Sequence, residues 1–313
     1  EFRRVLFRSI IGGNGYIGSR LCNDYKDLYD VTSVDSTIPQ NHIVNTISDD
    51  FNSLNEEFYS KFDVIILLAG HSSVKMCEGN IEHAFNNNVR NFVNLINKLN
   101  PNQKFIYASS SSVYGNVGKK IVTEKYHNFV PHNHYDVTKH MIDLYADKIK
   151  AEYYGLRFGT VNGYSPVVRR DVMINSMTYN AIKDNEIKLY VKDIIRPILG
   201  INDLSRAIKT IIDCKENNRG IYNLASFNET TENIAKTVSN IVNVPVHEYE
   251  TDPTNITNSK LQTKCYNFSI DSSKFKKTFN FEFEDTIESI TKSLVNNFEY
   301  IKFTDRNQPQ EYE

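Results

Sequence analysis

The 313-residue chain lacks a long basic run, an apolar run long enough to span a bilayer and any pair of cysteines spaced CxxC. Each absence removes a class of function. With 36 Lys and Arg against 38 Asp and Glu, the net charge is −2 and leaves no electrostatic footprint for nucleic acid or an anionic membrane. Neither is expected as a partner. The longest apolar run, Val64 to Ala69, has the length of one buried strand, far short of the roughly 20 residues that cross a bilayer. Cys22, Cys77, Cys214 and Cys265 are widely separated, which argues against a zinc knuckle or a redox dithiol and fits a reduced, cytoplasmic setting. The basic opening has no apolar core of the kind a secretory signal carries, so export is not expected.

What remains is ordinary globular material, 40% hydrophobic and 24% charged, enough for one large core or two modest ones. From Ile10 to about Leu156, short apolar runs alternate with amphipathic stretches. The strands read Ile10 to Gly12, Val31 to Asp35, Val64 to Leu68, Lys104 to Ser109 and Glu152 to Leu156, and the helices Ile17 to Tyr29, Ile81 to Leu99 and Tyr135 to Lys150. Continuously apolar strands separated by helices predict a doubly wound, Rossmann-type α/β domain around a parallel sheet. After Arg157 the spacing changes, with helices at about Val172 to Lys183, Asp203 to Cys214, Thr231 to Val242 and Thr286 to Phe303, and short strands near Ile187, Ile198, Ile221 and Val246. A smaller, partly interleaved α/β lobe is expected from 160–196 and 220–303. Residues 10–159, with help from 197–219, form the dinucleotide-binding domain, and 304–313 a frayed tail.

Four local signals carry chemistry. Gly12, Gly15 and Gly18 recur every third residue ahead of a helix, so that the backbone can turn tightly and present amides to a phosphate. Asp35 ends the next apolar strand, 23 positions after Gly12, near the spacing of roughly 20 at which a carboxylate meets the adenosine ribose. An acid there would repel a 2′-phosphate, which favours NAD over NADP. Tyr135 and Lys139 are four apart, on one face of a helix, where the ammonium can favour phenolate and let tyrosine work as acid or base. Tyr107-Ala108-Ser109-Ser110-Ser111-Ser112-Val113-Tyr114-Gly115 puts hydroxyls at the carboxyl end of a central strand, where open α/β sheets bind ligands.

Together with Ala69-Gly70, Asn88-Val89, Leu156-Arg157-Phe158, Arg196-Pro197, Ile201-Asn202-Asp203-Leu204 and Tyr222-Asn223-Leu224, these motifs resemble the extended short-chain dehydrogenase/reductases. More narrowly, they resemble the NAD-dependent epimerase/dehydratase branch that includes UDP-glucose 4-epimerase. The resemblance covers nearly the whole chain. It implies Ser110 as catalytic serine, with Ser111 and Ser112 as the adjacent alternatives and all three as substrate contacts, Tyr135 as acid/base and Lys139 as its activator and a nicotinamide-ribose ligand. NAD would be held by Gly12, Gly15, Tyr16, Ile17, Gly18, Asp35, Ala69, Gly70, Asn88, Ser109, Tyr135 and Lys139. Arg196 would meet the diphosphate of a nucleotide-sugar and Thr160 would stand where the 4-epimerases hold their substrate with Asn. A homodimer through a helix bundle is also implied.

The chain departs from the 4,6-dehydratases, which carry Asp-Glu after the catalytic Thr where this chain has Ser111-Ser112, so dehydration is disfavoured. The expected reaction is epimerisation through a keto-sugar. A keto-sugar reductase or dehydrogenase using NAD(P) is the alternative, and a catalytically silent NAD-binding sensor or scaffold a third. His127, His132, His134 and His140 have no Cys or carboxylate at metal-ligand spacing, so loop solvation is expected and no metal is assigned. His71 reads either as a neighbour of the cofactor or as a solvated loop residue.

The match to the family begins at Ile10. Glu1 to Ser9, EFRRVLFRS, is the translation of GAGTTCAGACGTGTGCTCTTCCGATCT, which resembles a widely used DNA-sequencing adapter. These nine residues are expected to be an assembly artefact replacing the native start of the first strand.

Overall fold

The computed structural model describes residues 7–37, 43–249 and 266–305. Its centre is a seven-stranded, fully parallel sheet. In chain order the strands are β1 (Phe7–Ile11), β2 (Asp30–Asp35), β3 (Asn45–Ser48), β4 (Val64–Leu67), β5 (Lys104–Ser110), β7 (Glu152–Phe158) and β12 (Gly220–Leu224). In space they run β12-β7-β5-β4-β1-β2-β3, so the order reverses at β1, between β4 and β2. That reversal opens a crevice at the carboxyl ends of β1 and β4.

The sheet is buried on both faces because its strands are apolar at consecutive positions. Ile10 joins a core with Leu21 of α1 (Tyr16–Tyr25) and Leu204, Ile208 and Ile211 of α8 (Ile201–Asp213). Its neighbour Ile11 points the other way, into a core with Phe92 and Leu95 of α5 (Asn91–Asn97) and Ile142 of α6 (His134–Leu144). Between these lie α2 (Glu56–Tyr59), α3 (Val74–Gly79) and α4 (Ile81–Phe85).

The second lobe has its own core around Ile174, Ile198, Ile234 and Ile290. It is built from α7 (Met173–Asp184), α9 (Thr231–Val242) and α11 (Ile287–Asn296), with a three-stranded sheet of β8 (Thr160–Asn162), β11 (Ile195–Gly200) and β13 (Phe227–Thr230). Three two-stranded pairs complete it: β6 (Ile121–Val122) with β15 (Ser269–Ile270), β9 (Val167–Arg169) with β16 (Lys302–Thr304), and β10 (Ile187–Leu189) with β14 (Val246–Glu248). Helix α10 (Ser273–Phe279) packs beside β12.

Several expected boundaries shift. The helix expected over Ile81 to Leu99 is α4 and α5 joined by a π-helical turn, Asn86–Arg90, and α1 stops at Tyr25 because residues 26–28 turn back. The helix expected to Lys150 ends at Leu144, and that expected to Phe303 ends at Asn296. The domain boundary at 220 falls inside the central sheet, since Gly220 to Leu224 pair with Tyr154 to Phe158, whereas Ile198 to Gly200 pair with β8 in the second lobe. The tail does not fray at Thr304, which pairs with Arg169, and 306–313 lie outside the described residues. Of the adapter-like segment, Phe7, Arg8 and Ser9 fill the start of β1, with Arg8 opposite Val31 and Val64 and its guanidinium 3.5 Å from the Tyr29 ring centroid. Residues 1–6 lie outside the described residues.

Candidate active site

A cleft of about 1970 Å³ follows the crevice between the lobes. At one end lies the glycine loop. Gly15 caps α1 but has no side chain to bond the first helical amides, so those donors face the cleft. The loop tolerates nothing larger: a Cβ on Gly18 would sit 2.1 Å from the Gly12 carbonyl oxygen, and one on Gly12, whose φ is +90°, 2.6 Å from the Ala69 nitrogen. Asp35 stands at the end of β2, its Oδ2 accepting the Asn14 amide at 3.0 Å and its Oδ1 the Thr37 amide at 3.0 Å. The carboxylate thus also clips the loop to the strand, which its position in the sequence did not reveal.

At the middle of the cleft, β5 ends on Ser110, which starts a single 3-10 turn, and α6 begins after the Asn133 cap, which puts Tyr135 on its first turn. The Ser110 hydroxyl lines the cleft with Tyr135 and lies 2.8 Å from the Ser112 hydroxyl. Lys139, one turn along α6, donates from Nζ to the Ala108 carbonyl at 2.8 Å, and that nitrogen stands 5.9 Å from the Tyr135 ring centroid. The ammonium is therefore anchored to β5 on the side of the Tyr135 ring. Burial pushes Lys139 down to about 8 and pushes Tyr135 up, the latter opposed by the Ser110 hydroxyl and by the charge of Arg169.

Arg169 was not singled out from the sequence. On β9 it reaches across from the second lobe, pairing with Asp171 and donating to the Ser72 carbonyl at 3.0 Å. No local pattern marks it, because its partner loop is 97 residues away.

The structure brings most of the remaining residues to the cleft wall: Tyr16, Ile17, Ala69, Gly70, Ser109, Ser111, Ser112, Thr160 and Arg196 all line it. Asn88 does not. It is buried beneath the wall, where Oδ1 accepts the His71 amide at 2.7 Å and Nδ2 donates to the His71 carbonyl and to Thr138 Oγ1 on α6. Its role is to brace the loop after β4 against the helix that carries Tyr135. His71 is 2% exposed and contacts His83 and Asn87 through its two ring nitrogens, so it is no solvated loop residue. The other histidines do not converge: His140 packs on Phe129, His132 on Tyr266, and His134 faces Glu78.

A parallel sheet with a glycine cradle at its reversal, facing a Ser, Tyr and Lys set at the next strand end, defines a dinucleotide-binding α/β protein of the short-chain dehydrogenase type. The NAD dependent epimerase/dehydratase family matches residues 9–225, and the chain belongs to that family. UDP-glucuronate 4-epimerase 4 of Arabidopsis thaliana is 28% identical over 222 residues, covering 66% of this chain and 50% of its own. The chain thus spans about half the length of the plant relatives it matches. Protein CapI of Staphylococcus aureus is 26% identical over 230 residues, covering 65% of this chain and 68% of its own. Among solved structures, UDP-glucuronic acid 4-epimerase from Bacillus cereus, in complex with UDP-glucuronic acid and NAD, superposes with a TM-score of 0.78 at 20% identity, covering 94% of this chain and 99% of that one. MoeE5 in complex with UDP-glucuronic acid and NAD gives 0.79 at 17% identity, over 93% and 98%. At these identities the structural likeness speaks for the fold.

Proposed function

We propose that the protein is an NAD-dependent 4-epimerase of a UDP-sugar, with a UDP-hexuronate as the first substrate to test. The observation that carries this reading is the Ser110, Tyr135 and Lys139 set midway along a cleft about twice as large as the roughly 300–1,000 Å³ that holds one small ligand. The cleft has room for two molecules meeting end to end. The cradle of Gly12, Gly15 and Gly18 suits a diphosphate and Asp35 suits a ribose, so the residues present fit a dinucleotide. UDP-glucuronate is named by several relatives, and Arg169 supplies a cation on the same wall as Tyr135.

When bound, NAD supplies a hydride acceptor at one face of the sugar carbon. Tyr135 takes the proton of the sugar hydroxyl at its phenol oxygen, while Ser110 holds that same sugar oxygen. The carbon would be left as a ketone, and after the keto-sugar had turned in the cleft and regained its hydride on the opposite face, Tyr135 would return the proton to the same oxygen. Lys139, held by Ala108, keeps a positive charge beneath the site and would hold the nicotinamide ribose. Arg196 and Thr160 bind the nucleotide-sugar from the second lobe.

A second copy of the chain is the expected partner. Ile81 and Phe85 on α4 and Val137, Leu144 and Tyr145 along and after α6 are exposed apolar side chains on helices that pack together, which suits a helix-bundle dimer. Among the described residues no helix is long and apolar enough to cross a membrane, and Cys22, Cys77 and Cys214 are free thiols, which supports a reducing, cytoplasmic setting.

Incubating the protein with NAD and UDP-glucuronate, UDP-glucose and a panel of TDP-, GDP- and CDP-sugars tests the reading. Formation of the epimer without net cofactor reduction is expected. Net reduction would instead make the protein a dehydrogenase, and NAD binding without any turnover would make it a sensor. Tyr135→Phe should lower turnover by roughly 10²- to 10⁴-fold while sparing NAD binding.

A further inference from the structure

Tyr16 belongs to both lobes. It is the first residue of α1, directly after the Gly15 cap, so its amide is one of the helix-end donors turned to the cleft. Its ring, however, shares the second lobe's core with Val168, Ile174 and Ile198. The hydroxyl at the tip of that ring donates to the Gly163 carbonyl at 2.8 Å and accepts from Asn175 Nδ2 of α7 at 3.2 Å. Asn175 carries the contact further. Its Oδ1 accepts the Gly163 amide at 2.9 Å and its Nδ2 also donates to the Arg169 carbonyl at 3.0 Å, so one buried side chain fixes both ends of the segment from Gly163 to Arg169.

Two other contacts join α1 to this segment. Ser165 Oγ donates to the Tyr16 carbonyl at 2.8 Å and Arg20 Nη1 to the Tyr164 carbonyl at 2.9 Å. Both end there, whereas the hydroxyl continues through Asn175 to β9. We propose that Tyr16 is a positioning residue that couples the dinucleotide cradle to the second lobe: a cofactor phosphate held at its amide steadies the first turn of α1, and its hydroxyl passes that order to Gly163, Asn175 and β9. Arg169, whose side chain lines the cleft and whose carbonyl Asn175 holds, is thereby set in place by the cofactor before a second ligand arrives. Order supplied by the first ligand is order the second need not supply. The inference rests on the reading of the glycine loop as the dinucleotide site and draws nothing from the epimerisation step.

The lining of the cleft separates direct from transmitted effects. Thr160, Val161 and Arg169 line it, but residues 162–168 and Asn175 do not. A dinucleotide in the cleft touches none of the latter, so a change that it causes there has travelled through the protein. Tyr16→Phe keeps the ring in the core and the amide at the cradle and removes the hydroxyl alone. Asn175→Ser cuts the same link from the other lobe, because serine is too short to span the hydroxyl and the Gly163 amide, and it serves the test should Tyr16→Phe fold poorly.

The measurement is deuterium exchange, read by mass spectrometry on peptides reporting residues 162–168, with and without saturating NAD. In the unaltered protein NAD is expected to slow exchange there about tenfold, within the range of 5- to 150-fold usual for coupled sites. In both variants NAD is expected to bind as tightly by calorimetry, while the slowing falls below about twofold. A residue needed only for stability would speed exchange with and without NAD alike and leave the NAD-induced difference standing, and that result would overturn the proposal. Absence of the NAD effect in the unaltered protein would overturn it too, as would a loss confined to Asn175→Ser, which would mean that the link bypasses the hydroxyl. Failure of folded Tyr16→Phe to bind NAD would make the hydroxyl part of the cradle itself and would equally end the proposal. The exchange needs no turnover, so a protein that shows the transmitted protection yet converts no nucleotide-sugar would sink the epimerase reading and leave this one standing.

Discussion

Replacing Lys139 by Met should stabilise the protein at neutral pH while disabling it. Lys139 is 8% exposed, and burial brings its amine from 10.5 to about 8. At 1.36 kcal/mol per unit, keeping this cation in the folded state costs about 3 kcal/mol. Methionine has a similar length and no charge to desolvate, but it abandons the hydrogen bond to the Ala108 carbonyl, which returns about 1 kcal/mol of that gain. The net expectation is about 2 kcal/mol in favour of Lys139→Met at pH 7. The sign reverses the usual pattern for a lysine that gains a partner, because here the folded-state value is the lower one. Below pH 8 both folded and unfolded chains carry the charge, and the full cost falls on the wild type. Between pH 8 and 10.5 the folded amine is neutral while the unfolded one still holds its proton, so wild-type stability rises with pH relative to the variant. By pH 9.5 about 2 kcal/mol of the cost is recovered, and the two proteins become nearly equal or change order. Guanidinium melts of both proteins at pH 7 and pH 9.5, with the free energies extrapolated to water, read this directly. Parallel behaviour of the two proteins with pH, or a variant less stable than wild type at pH 7, would show that Lys139 is not held as a costly buried cation.

Two further substitutions follow from the geometry. Gly18→Ala should lower NAD affinity by at least about 100-fold in calorimetric titration, because its Cβ would meet the Gly12 carbonyl at 2.1 Å and neither is free to move; unchanged affinity would mean the loop does not hold the cofactor. Asp203→Ala should cost about 3–5 kcal/mol in guanidinium melts, since the buried carboxylate accepts the Glu284 and Asp285 amides at 2.9 Å and the Ser226 hydroxyl at 2.6 Å, and the alanine leaves those donors stranded; a loss below about 1 kcal/mol would mean that water replaces it.

The parts of the protein legible in its sequence are those whose cause is local. Consecutive apolar residues such as Ile10 and Ile11 announce a strand covered on both faces, and the recurrence of Gly12, Gly15 and Gly18 announces a backbone pressed against its neighbours. Tyr135 and Lys139 share a helix face wherever that helix goes. The serine run after Tyr107 marks a strand end for the same reason, that three or four adjacent residues suffice to define it. What the sequence could not determine depends on partners tens or hundreds of residues away. The strand at Gly220 joins the central sheet only because β7 offers it an edge, and Asn88 serves as a brace because a π-helical turn aims it at His71 and Thr138. Lys139 bonds to Ala108 because α6 docks against β5, so the ammonium that the spacing puts on the Tyr135 face of the helix is also fixed to a backbone carbonyl. Arg169 and Asp136 enter the cleft through contacts with Ser72 and with Tyr266, 97 and 130 residues distant. Sequence by itself determined the kind of sheet, the glycine-rich turn and the candidate reacting side chains, since periodicity and spacing are properties of the chain. Tertiary structure alone decided which charges face those side chains, since the field at Tyr135 is set by groups that only packing brings within reach.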